Sequence, residues 1–322
     1  MSKRNPLMLV NSVLNKPSNV ALIDSNYTLF LYFLLFNDEV EKTLFIVSDG
    51  ISKCVRDNLI NCIYLQDNKF TSFKKIREIL RNVKIILSKD FRQLRKNRDI
   101  VFFGQDHAWF SFLGKGRKFI LLEDGYDNYA KKPNKGMKRF LLSYLGFPYL
   151  EFGRSSNIEK IYLSNILPTP EDISHKVVSV NIDNSWKALS PINKTKLFAL
   201  FAPNKVHLLT NALNYFDSVL ILTQPLNQDG LLSENNKIKY YLEATSHLDG
   251  VKDIWFKRHP RDTTDYSSLG WKDFGFSTCP IELLIAMGLQ FKKVITYNST
   301  AIYRFPVESR ILISKSLNDK SI

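Results

Sequence analysis

Residues 118–125 read KFILLEDG, a short apolar run that ends directly on two carboxylates and a glycine. A run of this length and composition is typical of a buried strand. Asp and Gly are common turn residues after a strand, so an ordinary turn explains the ending. A carboxylate held at the end of a buried strand is equally a candidate general base. The rest of the sequence has to decide between these two interpretations.

Strand-like and helical runs alternate along the whole chain. In the first half, strands are predicted over 20–24, 43–48, 62–65, 99–104, 118–122, 149–152 and 160–164, and helices over 26–37, 74–98 (broken near Ser88) and 135–146. In the second half, strands are predicted over 217–225, 253–258 and 292–297, and helices over 233–247, 280–288 and 299–305. This alternation is typical of parallel sheets with helices on both faces.

The chain length of 322 residues suggests two domains. Prolines and polar residues dominate 166–192, which we interpret as the crossing between domains. The sequence therefore predicts an α/β protein with two Rossmann-like domains, over 1–165 and 193–322, whose parallel sheets face a central cleft.

Three polar clusters follow predicted strands, at the edge where open α/β sheets bind ligands. They are Glu123–Gly125, Lys257–Pro260 and Asn298–Thr300. The sequence has no G-x-G-x-x-G and no P-loop, so a dinucleotide dehydrogenase and a Walker-type ATPase are poor interpretations. It also has no D-x-D carboxylate pair.

Two of these clusters suit an anionic ligand. A protonated imidazole at His259, beside Lys257 and Arg258, can neutralise a leaving phosphate or give it a proton, because the histidine pKa lies near neutral pH. Ser299 and Thr300 are ordinary helix-capping residues, and a helix N-terminus also binds phosphate. A histidine ordered by the proline that follows it, and a simple helix cap, remain the structural alternatives.

Glu282 lies in the first turn of a predicted helix. A carboxylate at this position complements the helix dipole. An acidic residue near a nucleotide site also accepts hydrogen bonds from ribose hydroxyls.

The net charge of +14 favours anionic partners. Residues 74–98 carry ten Lys or Arg against two acids, with apolar residues at helical spacing, and a second basic cluster spans 131–139. Each cluster could be a solvated face, but together they make a membrane-surface role credible. A nucleic-acid-binding protein is a remote alternative, because we find no nucleic-acid module.

The remaining features point to the cytoplasm. Polar residues interrupt the apolar run near the N-terminus, which therefore does not resemble a signal peptide. The longest apolar stretch, 27–36, is too short to span a bilayer. Three cysteines without metal spacing fit a reducing compartment.

Three spans carry a resemblance to a known family. ILLEDGYDNYA (120–130), IWFKRHPRD (254–262) and PIELLIAMGLQFKKVITYNSTAIYRF (280–305) resemble, in order and spacing, the D/E-D/E-G, HP and S/T motifs of bacterial sialyltransferases. Chain length and the helix and strand before the last motif are similar to those of glycosyltransferase family 52, the lipooligosaccharide sialyltransferases.

The resemblance implies a GT-B fold and inverting, metal-independent transfer of sialic acid from CMP-sialic acid to a galactose-type hydroxyl. On the acceptor side it implies Asp124 as the general base, with Glu123 as second choice since adjacent strand residues point oppositely. Gly125 would allow a tight turn and keep the acceptor path open.

On the donor side the resemblance implies that His259 stabilises the departing phosphate. It also implies that no cofactor is needed besides the donor substrate. The implied nucleotide-binding residues are Lys257, Pro260, Glu282, Ser299 and Thr300. Thr223 and Gln224, at a strand exit, are expected to contact the acceptor or the donor.

The acceptor would be a lipid-linked oligosaccharide of lipooligosaccharide or capsule, and the enzyme would sit peripherally on the inner face of the cytoplasmic membrane. A GT-B transferase that uses another nucleotide-activated donor, carrying a hexose or a polyol phosphate, is the main alternative.

Overall fold

The computed structural model describes residues 7–10, 17–66, 74–129, 151–210 and 213–313. The chain divides into two compact units, Met1–Asn193 and Lys194–Ile322, each with its own sheet. Within these described ranges, no helix is long and apolar enough to cross a membrane.

The first unit contains an eight-stranded sheet in the order β1-β4-β3-β2-β5-β6-β7-β8. Its strands are β1 (Leu7–Val10), β2 (Asn19–Ile23), β3 (Thr43–Val47), β4 (Cys62–Leu65), β5 (Val101–Gly104), β6 (Phe119–Leu122), β7 (Ile158–Leu163) and β8 (Val177–Ser179). β1 pairs antiparallel with β4, and the other pairs are parallel. The strand order reverses between β2 and β5, so these two neighbours form the topological switch point where such sheets bind ligands.

In the first unit, α1 (Asn26–Leu35), α3 (Lys74–Leu87) and α4 (Lys89–Lys96) lie where the sequence predicts helices. The sequence did not predict α2 (Lys53–Asn58) or α5 (Ile182–Ala188). α1 begins after the N-cap Ser25, whose hydroxyl accepts a hydrogen bond from the backbone N–H of Thr28 at 3.2 Å. Ser88 separates α3 from α4, as the sequence predicts.

The centre of the first sheet is buried on both faces. Every residue of β2 and β3 is buried, which explains their continuous apolar runs. β2 and β5 approach closely at Gly104, where a Cβ atom would lie 2.1 Å from the carbonyl oxygen of Leu22. Gly104 also has a φ of 111°, so glycine is required at this point of the switch.

Two stretches differ in detail from the sequence-based expectations. Residues 166–192, interpreted as the crossing, contain β8 and α5, and both belong to the first unit. The strand predicted over 149–152 is wrong at its described end, because Phe152 and Gly153 have φ values of 44° and 95° and turn the chain. The helix predicted over 135–146 and the basic cluster over 131–139 lie outside the described residues.

The second unit contains a five-stranded parallel sheet in the order β11-β10-β9-β12-β13. Its strands are β9 (Asn214–Leu222), β10 (Asp253–Lys257), β11 (Lys272–Asp273), β12 (Gln290–Thr296) and β13 (Arg310–Leu312). Its helices include α6 (Pro191–Phe201), which begins just before the boundary of the unit, α7 (Glu234–Ser246) and α8 (Ile281–Ala286). Apolar residues of β9, β10 and β12 and aromatic rings of α7 and the loops form its core.

Candidate active site

In the first unit, polar residues collect where the central strands end. Asp24 follows β2, Gln105 and His107 follow β5, and Asp124 follows β6. Since these strands are parallel neighbours, their carboxyl ends meet at one edge of the sheet. The backbone N–H of Asp24 donates to the side-chain oxygen of Gln105, which ties β2 to β5 across the switch point.

Asp124 is held by groups from three segments. Its Oδ2 lies 3.0 Å from Nε2 of His107, and its Oδ1 accepts from the hydroxyl of Thr28 at 3.3 Å. Asn128 fixes the turn, because its side-chain oxygen accepts from the N–H groups of Asp124 at 2.7 Å and Gly125 at 3.2 Å. The side chain of Asp124 remains 25% exposed, so solvent reaches part of it.

His107 and Asp124 form an ion pair at neutral pH. Burial alone would lower the pKa of His107, but hydrogen bonds and charge from Asp106 and Asp124 outweigh it and raise this pKa to about 10. Burial would raise the pKa of Asp124, but His107 more than compensates and the pKa falls below its ordinary value. Asp124 is therefore an ionised carboxylate beside an imidazolium, able to accept a proton.

Glu123 points away from this edge into the core. It is fully buried, and its carboxylate accepts from the hydroxyl of Tyr129 at 3.0 Å and the backbone N–H of Ser164 at 2.6 Å. Burial raises its pKa, against the opposing effect of these donors. Adjacent residues leaving a strand point oppositely, so Asp124 is the carboxylate of this pair that a substrate can reach.

Gly125 has a φ of 140°, in the region that L side chains rarely adopt. The chain turns there into a short 3-10 helix, Tyr126–Asn128. The turn brings Asn128 back under Asp124, which is consistent with the expectation that glycine is needed at this position.

Motif reasoning missed His107 and Asp24. His107 is in QDHAW, directly after the buried strand β5, and an inspection of every strand exit would have found it. Asp24 is mostly buried, accepts from the backbone N–H of Gly50 at 3.0 Å and from the hydroxyl of Ser48, and lies close enough to Asp124 for the two charges to interact. Burial raises the pKa of Asp24, and the charge of Asp124 adds to this rise.

In the second unit, the predicted donor-side residues lie at the carboxyl edge of the other sheet. Thr223 follows β9, and Ser299 follows β12. Lys257 is the last residue of β10, and residues 258–260 come directly after it. β9 lies between β10 and β12, so these segments are neighbours. α8, which leads into β12, carries Glu282 in its first turn.

Thr223 joins β9 to the loop that carries His259. Its backbone N–H donates to the carbonyl of Lys257 at 3.1 Å, and its hydroxyl accepts from the N–H of His259 at 3.3 Å. Thr223 is 1% exposed, so it holds the loop from inside, whereas the sequence predicted a substrate contact. Gln224 is half-buried, and its N–H donates to the hydroxyl of Tyr241 at 3.2 Å.

The protonation state of His259 differs from the expected one. Burial lowers its pKa to about 4, and the nearby cations of Arg261 and Lys257 lower it further against the weaker effect of Asp262 and Asp229. The ring is therefore neutral at pH 7, because a further positive charge in this basic, partly buried loop is unfavourable.

Lys257 and Glu282 lie close to each other. Burial lowers the pKa of Lys257, and the negative charge of Glu282 opposes this effect. The two charged side chains predicted to bind the nucleotide thus share one region of the unit.

Ser299 and Thr300 stand at the start of a 3-10 helix, Thr300–Arg304, of five residues. The N–H of Ser299 donates to the hydroxyl of Thr296 at 3.4 Å. Both residues are partly exposed at this edge.

A buried ion pair supports the loop after β10. Nζ of Lys237, on α7, lies 2.8 Å from Oδ1 of Asp262, and both side chains are 0% exposed. Asp262 also accepts from the hydroxyl of Tyr266 at 2.9 Å and the N–H of Thr264 at 3.1 Å, while Lys237 donates to Asn227 at 2.7 Å. Sequence motifs gave no sign of this pair, because its members are 25 positions apart.

No group of three or more His, Cys, Asp or Glu residues that could hold a metal ion occurs in the ranges that the structure describes.

The fold, two α/β units with polar residues at the strand ends, is of the GT-B class. The structure is similar to the alpha/beta-galactoside alpha-2,3-sialyltransferase of Photobacterium phosphoreum, with a TM-score of 0.57 and 13% identity over 92% of this chain and 90% of that one. It is also similar to the 2,6-sialyltransferase of Photobacterium sp. JT-ISH-224, solved with CMP and lactose, with a TM-score of 0.57 and 12% identity over 91% of this chain and 70% of that one. The predicted GT-B class is confirmed.

The sequence profile of glycosyltransferase family 52 matches residues 30–315, so the chain belongs to glycosyltransferase family 52 and is a glycosyltransferase. The predicted family is thus confirmed. An uncharacterized protein of Haemophilus influenzae is 30% identical over 295 residues, which cover 90% of this chain and 92% of the relative.

Proposed function

We propose that the protein is an inverting sialyltransferase that moves sialic acid from CMP-sialic acid to a galactose-type hydroxyl of a lipooligosaccharide or capsule. The observation that carries the proposal is the carboxylate of Asp124, held 3.0 Å from Nε2 of His107 at the edge of the first sheet in a family 52 chain. The Photobacterium enzyme solved with CMP and lactose supports this class of donor and acceptor.

Asp124 acts as the general base. As the acceptor hydroxyl attacks the anomeric carbon, its proton passes to the carboxylate of Asp124. His107 keeps this carboxylate ionised and holds its Oδ2 at 3.0 Å, which orients the group before the substrate arrives. A single displacement of this kind inverts the anomeric centre.

The second unit stabilises the leaving CMP. His259 and the cation of Lys257 act on the phosphate, with Pro260 shaping the loop. Ser299 and Thr300 add hydroxyl and backbone donors, and Glu282 accepts from the ribose hydroxyls. In this proposal the reaction proceeds without a metal ion.

The basic helices of the first unit dock the enzyme on an anionic membrane, where a lipid-linked acceptor is presented. On α3, Val83 and Leu87 are 43% and 59% exposed, and spacing of four residues places them on one face beside the exposed Lys84. Exposed cations on α4 extend the surface. Such a combination of apolar and basic side chains suits an anionic bilayer surface.

The docking surface is tested by sedimentation with anionic and with zwitterionic vesicles. Binding to anionic vesicles should drop in a Val83→Glu/Leu87→Glu variant. Leu231→Glu/Val307→Glu, at two apolar residues of the second unit that are 60% and 74% exposed, adds the same two charges and should bind normally. Equal binding by all three proteins would reject this surface.

The activity is tested by following CMP release from CMP-sialic acid, in EDTA, with and without lactose. Lactose-stimulated release by the wild type that is lost in Asp124→Asn and kept in Glu123→Gln supports the proposal. Release that requires another nucleotide sugar would instead assign the alternative donor class. If EDTA abolished the activity and a divalent cation restored it, metal independence would be rejected.

A further inference from the structure

Residues 259–262, HPRD, form a tight turn after β10. The backbone N–H of Asp262 donates to the carbonyl oxygen of His259 at 2.9 Å, which closes the turn. Pro260 occupies the second position, where its fixed φ favours a turn of this type. The turn determines where the imidazole of His259 can lie.

Inside this turn, the imidazole has a backbone donor on one nitrogen. The N–H of Arg261 points at Nδ1 of His259 at a distance of 3.1 Å. A backbone amide can only donate, so Nδ1 must accept with its lone pair. A proton on Nδ1 would face the amide proton directly, and the single ring proton of a neutral histidine therefore belongs on Nε2.

The turn is anchored from several sides. The side chain of Asp262 is held in the core by Lys237, as described above. The guanidinium of Arg261 makes two hydrogen bonds to Asp229, at 2.6 and 3.3 Å. Gln228 and Thr263 make a further contact at 2.7 Å. These contacts keep the N–H of Arg261 directed at the ring.

We propose that His259 is held as a neutral hydrogen-bond donor, with its ring proton on Nε2, and that it stabilises the leaving phosphate without giving up this proton. The stabilisation of the leaving phosphate rests on the proposed function, whereas the protonation state of the ring does not. The buried pair of Lys237 and Asp262 supports the turn that holds the ring.

The charges around the ring favour the same state. Lys257 on β10 and Arg261 in the turn are the cations that face His259, while Asp262 in the turn and Asp229 in the loop after β9 are the anions. Burial, followed by the two cations, outweighs the anions and lowers the pKa of His259 to about 4. Imidazolium would therefore be disfavoured at neutral pH by charge as well as by the turn.

The reaction balances without a proton from His259. The acceptor oxygen forms its bond to the anomeric carbon, and the acceptor proton moves to the carboxylate of Asp124. The bond between the anomeric carbon and the phosphate oxygen breaks, and its electron pair stays on that oxygen. CMP leaves with one additional negative charge, which the Nε2–H of His259 and the cation of Lys257 stabilise.

Nitrogen-15 NMR of the histidine rings tests the proposal. Wild-type protein labelled in histidine is compared with His259→Gln, so that the signals lost in the variant are assigned to His259. Spectra are recorded between pH 5.5 and 7.5, free and saturated with CMP. At pH 5.5 an ordinary histidine with a pKa of about 6.5 is about tenfold more protonated than neutral.

The expected result is one N–H, on Nε2, throughout this pH range and in both states. Imidazolium in the free protein at pH 7, or a proton on Nδ1, would overturn the assignment. A second ring proton in the CMP complex would overturn the claim that His259 donates only a hydrogen bond. The free-protein spectrum needs no turnover, so a failed sialyltransferase assay and a failed tautomer assignment are separate outcomes.

Discussion

The two histidines at the strand ends differ in charge, because one ring is cationic and the other neutral. His107 lies between two carboxylates, and its pKa rises to about 10. His259 lies among cations in a braced turn, and its pKa falls to about 4. Burial alone would make both rings neutral, so the charged neighbours decide the difference. The first unit keeps an anion ready to accept a proton, whereas the second keeps cations around a neutral donor.

The largest expected effect concerns the carboxylate beside His107. Asp124→Asn should lower kcat by about 10²–10⁴-fold, the usual contribution of a positioned base. Glu123→Gln, its neighbour in sequence, should keep most of the activity, because its side chain lies in the core. Steady-state kinetics measures kcat for both variants. Equal losses, with both proteins folded by circular dichroism, would contradict the separate roles of these carboxylates.

The next largest effect concerns the ion pair that supports the turn of His259. Lys237→Met leaves Asp262 as an unpaired charge in the core, which should cost about 3–5 kcal/mol of unfolding free energy. Lys239→Met is the control, since Lys239 lies on the same helix with a 70% exposed side chain. An exposed pair contributes about 0–1 kcal/mol. Guanidinium unfolding followed through tryptophan fluorescence measures both.

If Lys237→Met unfolds no more easily than Lys239→Met, the turn does not depend on the buried pair. The supporting role of Lys237 would then be wrong, even though the hydrogen bond from Arg261 to His259 could persist.

A smaller effect should appear at alkaline pH in the first unit. The folded pKa of His107, about 10, lies above the ordinary value of about 6.5. Its contribution to stability is therefore fully present below pH 6.5 and is lost as the pH rises through 10. His107→Gln should be less stable than wild type by about 1.5–3 kcal/mol at pH 6.5, the range for a hydrogen bond to a charged group.

The difference between wild type and His107→Gln should shrink by pH 10. Urea unfolding of both proteins at pH 6.5, 8 and 10 measures it. A difference that does not change with pH would show that His107 is not an imidazolium in the folded protein, and the contrast between the two histidines would disappear.

The contrast also shows what the sequence could predict. Local patterns located every central strand and the break at Ser88. They also placed Asp124, His259 and Ser299 after β6, β10 and β12, where the structure has them. They missed short edge elements such as β8, β11 and β13, which have two or three residues and too few apolar positions for a periodic pattern. A run of apolar residues reports burial in a sheet centre, but not pairing at its edge.

The missed polar residues have a different cause. His107 and Asp124 meet because β5 and β6 are neighbours, and Lys237 meets Asp262 because α7 packs on the sheet. Neither contact can be inferred from a local motif. The charge of a side chain depends on such neighbours, so the sequence named His259 but did not report its protonation state.

The smallest expected effect separates charge from burial at His259. Arg261→Ala removes a cation and also leaves the carboxylate of Asp229 unpaired, and both changes raise the pKa of His259. Because the side chain of Arg261 is 57% exposed, solvent screens its charge and the rise should be less than about one unit. The backbone N–H at position 261 is kept, so the proton should stay on Nε2.

Arg261→Lys is the control with no change in charge. NMR titration of the ring that shows no movement in Arg261→Ala would assign the low pKa to burial and to Lys257, and would limit the role of Arg261 to its backbone.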